Sequence, residues 1–316
     1  MSERVDLFGW LLGPRSFDAT LDLEACYETL EALDARFESS IDRAAAGGFV
    51  ADRLGYAFVA GYRAALACLA PGVSRASLCA TEDGGAHPRA IRTRIEPQGD
   101  AFVLTGQKTY ATLASRARTL LVVASAGERS GRNSLRVATL PASRAGVKVE
   151  DRPPVAFAPE IPHARVSFEA VRVEPAELAP GDGYETVLKP FRTLEDVHVM
   201  ASLLGHVVRL TRQFAESTDT LELALATLAA LRDCGARDPL APSTHVTLAG
   251  ILGEATRAAG GCTLARADEA TRARWQRDLP LLQVAAGARA ARRQAAYERL
   301  GLGARPADSS KGPHGS

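Results

Sequence analysis

The sequence has 316 residues, of which 46% are hydrophobic and only 6% aromatic, and its formal net charge is +1. This length can build one large domain or a few packed ones, and the abundance of Ala and Leu favours helices. The balanced charge excludes a sequence-wide basic field, so neither nucleic acid nor a membrane surface is an expected partner.

The cysteines, histidines and apolar segments indicate which class of protein this is. The five cysteines are dispersed and include no C-x-x-C pair, which is typical of reduced thiols in the cytoplasm. The six histidines lack the spacing of metal ligands, so no metal site is predicted. No apolar run approaches the ~18 residues of a spanning helix, and the first residues do not resemble a signal peptide. We therefore expect a soluble, cytoplasmic protein.

Helical patterns fill the first part of the chain. Apolar residues recur at helical spacing over residues 18–46, and Gly47 and Gly48 predict the end of that helix. A second helix is predicted over residues 50–69, before Pro71 and Gly72. Residues 1–76 are accordingly predicted to form a shortened N-terminal helical domain.

Short β-branched segments separated by turns follow, and they predict a central β domain over residues 77–180. Eight short strands in about 100 residues indicate an antiparallel barrel or sandwich. The predicted strands are residues 77–81, 92–97, 101–105, 108–112, 119–124, 134–141, 147–151 and 164–168.

Helical periodicity returns after Gly183 and predicts a shortened C-terminal helical bundle over residues 181–302. Its four predicted helices cover residues 188–216, 218–232, 243–259 and 279–300. Residues 303–316 are rich in Gly, Pro and Ser and are predicted to be disordered.

Four fragments of the sequence share a pattern and an order. Residues 81–85 read T-E-D-G-G, residues 106–112 read G-Q-K-T-Y-A-T, and residues 166–175 read V-S-F-E-A-V-R-V-E-P. The fourth fragment consists of Gly260 and Gly261, followed by Arg277 and Asp278 and then by Gly287. Together they resemble the acyl-CoA dehydrogenase family, with its T-E-P-x-A-G-S-D, G-x-K-x-[WFY]-[IA]-T-N, V-x-F-D-x-V-x-V-P and Q-x-x-G-G motifs. The resemblance implies an α+β fold with an N-terminal helical domain, a central antiparallel β-barrel or sandwich and a C-terminal helical bundle.

The resemblance also implies an FAD site. Thr112 is similar to the threonine that donates hydrogen bonds to the flavin, where hydride arrival builds negative charge. Tyr110 corresponds to the aromatic wall of the ring. The remaining implied cofactor contacts are Cys79, Thr81, Gly85, Arg257, Gly260 and Gly261. The alternative for Tyr110 and Thr112 is that they are ordinary strand residues of high β propensity.

Several positions depart from the family pattern. Ala86 and His87 stand where the motif has serine and aspartate, and Arg257 replaces a glutamine. The glutamate of the family's Y-E-G-T motif falls on Ala286, which cannot accept a proton. The chain therefore lacks some of the family's FAD contacts and lacks the catalytic base at its usual position.

A second position for the base exists in the family, in the pattern D-L-E-R-L-V-L-A-A-x-x-L-G. Residues 193–205 align with it without a gap, and Glu195 falls on the catalytic glutamate. The adjacent Asp196 replaces an arginine, and two neighbouring carboxylates raise each other's pKa when desolvated. The alternative is that both acids complement the helix dipole in a first turn. His198, three residues later, is expected to be a core residue.

Three functions follow from these patterns. The first is α,β-dehydrogenation of an acyl thioester, linked to CoA or to a carrier protein, with Glu195 as base and FAD as cofactor. The second is a catalytically silent relative with weak or no FAD binding, and the third is a different flavin reaction on the same fold. The resemblance implies a homodimer and an electron-transfer flavoprotein as partner.

Overall fold

A computed structural model describes residues 5–303 of the protein. Helices come first, a seven-stranded sheet follows, and helices close the described chain. The helices are α1 (Leu7–Leu12), α2 (Leu23–Asp34), α3 (Ser40–Val50), α4 (Leu54–Leu69), α5 (Lys189–Gln213), α6 (Thr218–Gly235), α7 (Pro242–Gly260), α8 (Glu269–Asp278) and α9 (Ala286–Arg299). The strands are β1 (Ala76–Cys79), β2 (Arg94–Gln98), β3 (Ala101–Thr112), β4 (Thr119–Arg129), β5 (Arg132–Pro141), β6 (Val147–Asp151) and β7 (His163–Val173). This order confirms the predicted fold class.

The sheet runs β1-β4-β2-β3-β7-β6, and β5 pairs with β4 outside that path. The pairs β2–β3, β3–β7, β4–β5 and β6–β7 are antiparallel, as predicted. The pairs β1–β4 and β2–β4 are parallel, which the sequence did not predict. Side chains alternate across the sheet: Cys79 lies in a core of strand residues, whereas Leu78 and Ala80 join the core formed with the helices. The sheet therefore has one face that the helices cover.

Strand β3 joins two segments that the sequence separates. The predicted strands 101–105 and 108–112 form one strand with register shifts after Leu104 and after Lys108. Gly106, at a φ of 144°, makes the first irregularity, and an added Cβ would lie 2.6 Å from the Cα of Thr93. A glycine is therefore required where β3 approaches the chain before β2.

The first helices also differ from the prediction. Residues 18–46 do not form one helix, because the chain turns between α2 and α3. Gly47 and Gly48 do not end a helix, since both lie inside α3. A Cβ on Gly48 would lie 1.8 Å from the carbonyl oxygen of Ser202 in α5. These glycines therefore serve the close packing of α3 against its neighbours.

The last part of the chain contains a helix that the sequence analysis missed. Helix α8 was not predicted, and the predicted helix 279–300 begins instead as a 3₁₀ segment, Leu279–Gln283, before α9. Pro280 at the start of this segment fits a break between two helices. The predicted disorder of residues 303–316 falls, apart from residue 303, outside the described residues.

The thiols, the helices and the potential metal ligands of the described residues each have a plain description. All five cysteines are free thiols, as predicted. Between residues 5 and 303, no helix combines the length and hydropathy that a membrane span needs. In the same range, no three His, Cys, Asp or Glu side chains are grouped as a metal site.

Candidate active site

A buried ion pair fixes β3 to the turn that follows β1. The Lys108 Nζ lies 2.6 Å from Oε1 of Glu82, and the lysine side chain is fully buried. The Glu82 carboxylate also accepts hydrogen bonds from the backbone N–H groups of Arg92 at 2.7 Å and Thr93 at 3.0 Å. Burial opposes ionisation of Glu82, but Lys108 and these N–H groups outweigh it and lower its pKa. This anchor sets the position of Tyr110, two residues further along β3.

Three polar side chains from two paired strands line one cavity: those of Tyr110, Thr112 and His163. Thr112 pairs with His163 in the β3–β7 register. The His163 ring stacks on Tyr110 with ring centroids 4.3 Å apart and an angle of 26° between the planes. The guanidinium of Arg152 lies 5.5 Å from the centroid of the same tyrosine ring. No described residue forms a hydrogen bond with the Thr112 hydroxyl, which is therefore free to donate to a ligand.

His163 is a site residue that the sequence analysis missed. Its Nδ1 is buried and has no hydrogen-bond partner among the described residues. Burial, and secondarily the charge of Arg152, lower its pKa to about 4, so the ring is neutral at physiological pH. An unpaired buried nitrogen costs stability, which makes it a candidate contact for a ligand. No local signal in the sequence indicates this role, because the pairing of β7 with β3 places His163 beside Thr112.

Glu195 approaches the same cavity from α5. Its side chain is half-buried, and its carboxylate forms neither a hydrogen bond nor an ion pair with a described residue. Burial is the main reason that its pKa rises to about 7, and the neighbouring charge of Asp196 adds to the rise. Arg289, Arg292 and Arg192 oppose the shift without abolishing it. A carboxyl group with this pKa can exchange a proton near neutral pH.

Asp196 has a different environment from its neighbour. It is buried and pairs with Arg289 at 2.7 Å and also with Arg292, both from α9. The carboxylate is therefore held as a structural counterion, and only Glu195 is free to act as a base. His198 is likewise structural, since its two ring nitrogens lie at hydrogen-bond distance from the Leu194 carbonyl oxygen and the Ser40 hydroxyl.

The cavity has a volume of about 190 Å³. It unites three of the predicted site residues, Tyr110, Thr112 and Glu195, although Glu195 is 83 positions beyond Thr112 in the sequence. Ala285 also lines it, whereas its neighbour Ala286, to which the resemblance assigns the usual base position, lines a separate pocket. The rest of the lining is mainly apolar and consists of Phe58, Val155, Phe157, Ala158, Ile161, Val199, Met200, Leu281 and Val284, with Asp196 and Arg289 at one side.

The other predicted cofactor residues do not line this cavity. Cys79 is fully buried in the strand core, so its thiol does not line the cavity, and the expected contact through its backbone stays a prediction. Thr81 forms an isolated bridge with Tyr110, and Gly85 occupies the adjacent turn at a φ of 92°. Both therefore lie near β3 without lining the cavity.

The contacts predicted at the end of α7 lie elsewhere. The Arg257 side chain is exposed and pairs with Glu254 on the same helix. Gly260 has open space around its Cα, and a Cβ on Gly261 would meet the Thr220 hydroxyl at 2.6 Å. Within one chain, the structure does not bring Arg257, Gly260 or Gly261 to the cavity.

A flavin ring fits this site in chemistry but not in volume. The free hydroxyl of Thr112 and the aromatic ring of Tyr110 are suited to its polar edge and its face. However, cofactor sites usually have about 300–1,000 Å³, and the cavity of about 190 Å³ is smaller. Residues 152–162, the connection between β6 and β7, contribute Val155, Phe157 and Ile161 to the lining. The complete ring requires displacement of this connection or of His163.

Comparisons with known proteins agree with this architecture. The model of the acyl-CoA dehydrogenase middle domain matches residues 77–171, which include β2 to β6 and most of β1 and β7. Butyryl-CoA dehydrogenase from Megasphaera elsdenii has a similar structure, with a TM-score of 0.67 over 88% of this chain and 90% of that chain at 14% identity. Residues 77–171 therefore resemble the middle domain of acyl-CoA dehydrogenases, and the described chain has the fold of butyryl-CoA dehydrogenase.

Two further solved structures resemble this chain. The prolyl acyl carrier protein oxidase AnaB has a TM-score of 0.65 over 88% of this chain and 90% of that one, at 16% identity. PigA, solved with FAD and proline, has a TM-score of 0.65 over 89% and 90% of the two chains, at 15% identity. No curated protein matches the sequence. At these identities, the likeness to the solved structures shows the fold alone.

Proposed function

We propose that the protein is a flavin-dependent oxidoreductase that forms a double bond between Cα and Cβ of an acyl thioester. The observation that carries this proposal is that Thr112, from the sheet, and Glu195, from α5, line one cavity. A hydrogen-bond donor for a flavin edge and an unpaired carboxylate are the two groups that this reaction needs on either side of its substrate. The similar structures include an acyl-CoA dehydrogenase and an oxidase of an acyl carrier protein.

In this reaction, the ionised carboxylate of Glu195 removes a proton from Cα of the acyl group. A flavin held by Thr112 and Tyr110 would supply the oxidising chemistry and would take up the hydride that leaves Cβ. The substrate loses two electrons, two hydrogens and no other atom, and an electron-transfer flavoprotein is the proposed final acceptor. With His163 displaced by the ring, Thr112 would donate to the ring edge, Tyr110 would support its face, and the apolar connection over residues 152–162 would exclude water from the site.

FAD is the proposed cofactor, and a homodimer is the proposed assembly. Thr81, Gly85, Tyr110 and Thr112 would hold the flavin within one chain. Because the end of α7 does not reach the cavity of its own chain, contacts from that helix end to FAD require a second copy. The five free thiols are in keeping with a cytoplasmic location.

A second candidate is a catalytically silent member of the family. The cavity volume of about 190 Å³ favours it, as does the stacking of His163 on the Tyr110 ring. Such a protein would retain the fold and the cavity for a small ligand but would bind no flavin.

The absorption spectrum of the purified protein, before and after addition of FAD or FMN, separates the two candidates. We expect a bound flavin whose oxidised absorption bleaches when an acyl-CoA, such as butyryl-CoA, is added without oxygen. A protein that takes up neither flavin contradicts the proposed reaction and supports the silent candidate. A bound flavin that no acyl-CoA or acyl carrier protein thioester bleaches also contradicts it and indicates another flavin reaction.

A further inference from the structure

Beside the cavity, positive charge exceeds negative charge. The buried carboxylate of Asp196 is shared by two guanidinium groups, those of Arg289 and Arg292. The carboxylate of Asp196 neutralises one of them. Glu195 forms no ion pair with either, and Arg192 adds a third positive charge near Glu195, so positive charge stays in excess even when Glu195 is ionised. A cation that is partly desolvated without its own counterion is costly, so this arrangement is adapted to a further anion.

Only one of the two arginines is placed to meet a ligand. Arg289 lines the cavity, whereas Arg292 does not. The Nε of Arg289 donates to Asp196 at 2.7 Å and its Nη1 donates to the Leu282 carbonyl oxygen at 2.8 Å. Its Nη2 has no partner among the described residues. These bonds fix the plane of the guanidinium and leave donors available, which is the geometry that binds a carboxylate well.

The size of the cavity limits the ligand. Its volume of about 190 Å³ is close to that of an apolar protein cavity of about 150 Å³ that takes up benzene. The apolar walls, which include Phe58 and Met200, suit a short hydrocarbon segment. A long fatty chain has no room, but a short chain that ends in a carboxylate satisfies both the walls and Arg289.

We propose that this cavity is a binding site for a short carboxylate, with the carboxylate on Arg289 and the hydrocarbon segment among the apolar side chains. In so far as it rests on the proposed function, this assigns the substrate as the thioester of a short dicarboxylic acid. The second carboxylate of that acyl group, remote from the thioester, is the one that Arg289 binds.

The binding test compares two probes of equal shape, isovalerate and isovaleramide, by calorimetric titration at neutral pH. A flavin is not needed, so the test is independent of the proposed reaction. We expect isovalerate to bind about 10- to 100-fold more tightly, as charge-assisted hydrogen bonds allow. Equal affinity for the two probes, or no binding of isovalerate, would overturn the proposal without the use of any variant.

Arg289→Gln and Arg292→Gln form a matched pair of variants, because each removes one partner of Asp196. We expect Arg289→Gln to weaken isovalerate binding about 10- to 100-fold and to leave isovaleramide binding unchanged. Arg292→Gln should retain the preference for the carboxylate. Equal losses in both variants would mean that the arginines act through Asp196 alone, and this outcome also overturns the proposal.

With the holoenzyme, the corresponding comparison is the turnover of glutaryl-CoA and butyryl-CoA, for which we expect at least a tenfold higher kcat/KM with the dicarboxylic substrate. A colourless protein that prefers isovalerate would support the carboxylate site and overturn only the proposed reaction. A flavoprotein that bleaches with butyryl-CoA but shows no preference for isovalerate would do the reverse.

Discussion

The cavity wall and the C-terminal end of α7 hold their polar side chains in different ways. At the cavity, Thr112 and His163 lie on paired strands, and Glu195 lies on a helix that Asp196 ties to α9. At the end of α7, Arg257 pairs with its neighbour at the surface, and the space where a Cβ of Gly260 would lie is open. The first region is organised within a single chain. The end of α7 can contact a cofactor only if that cofactor is bound to another chain.

This difference predicts that catalysis depends first on Glu195. Replacement of Glu195 by Gln removes the base while retaining its size, and we expect turnover of an acyl thioester to fall by about 100- to 10,000-fold. The measurement is the rate of flavin bleaching in a single turnover. Glu185→Gln, at an exposed ion pair with Lys189, is the control and should leave the rate unchanged. Retention of the rate in Glu195→Gln would mean that Glu195 is not the base of the reaction.

The position of β3 in the cavity wall should also depend on the buried ion pair of Lys108 with Glu82. Lys108→Met leaves Glu82 buried without its cation, and breaking such a pair costs about 3–5 kcal/mol. Urea unfolding measures this loss as a lower free energy of unfolding. Lys148→Met breaks an exposed pair with Glu150 and should cost less than about 1 kcal/mol. Similar losses in the two variants would show that the Glu82–Lys108 pair does not hold β3.

The pKa of Glu195 predicts how stability changes with pH. The folded protein binds this proton more tightly than the unfolded chain, because folding raises the pKa from its ordinary value of 4.5 to about 7. The stabilisation is therefore present below the unfolded pKa and is lost as the pH rises through about 7. A difference of this size corresponds to about 3 kcal/mol.

Glu195→Gln, which cannot ionise, should therefore be more stable than the unmodified protein at pH 8, by up to about 3 kcal/mol. At pH 4 the two proteins should be equally stable. Urea unfolding at both pH values checks this sign. A variant that is less stable at pH 8 would mean that the ionised carboxylate has a stabilising partner, in contrast to its unpaired state in the structure.

The smallest expected effect is on FAD affinity, and it distinguishes the cavity wall from the end of α7. Thr112→Val removes a hydroxyl that no described residue engages, so stability should change little, whereas FAD affinity should fall about three- to tenfold. Arg257→Ala should leave FAD affinity unchanged if the site belongs to one chain. Both affinities are measured by titration of flavin fluorescence. An equal loss in Arg257→Ala would instead join the end of α7 to the site through a second chain.

Individual residues show how far the sequence could predict the site. Tyr110, Thr112 and Glu195 were predicted from motif positions, and the structure brings all three to one cavity, although their roles stay predictions. His163 was missed, because its position beside Thr112 depends on strand pairing across 50 residues. The ion pair of Asp196 with Arg289 was missed for the same reason, since the two residues are 93 positions apart in the sequence. Gly48 was misinterpreted because a packed helix contact and a helix end both favour glycine.

The sequence by itself determined the order of helices and strands and the segment 147–151, where β6 has the predicted bounds. These features depend on local periodicity and turn residues, which a single stretch of chain contains. Only the tertiary structure decided that two strands of the sheet pair in parallel with β4, that the cavity is small and that Arg289 borders it. Those properties depend on distances between segments that are remote in sequence, and no local pattern specifies such distances.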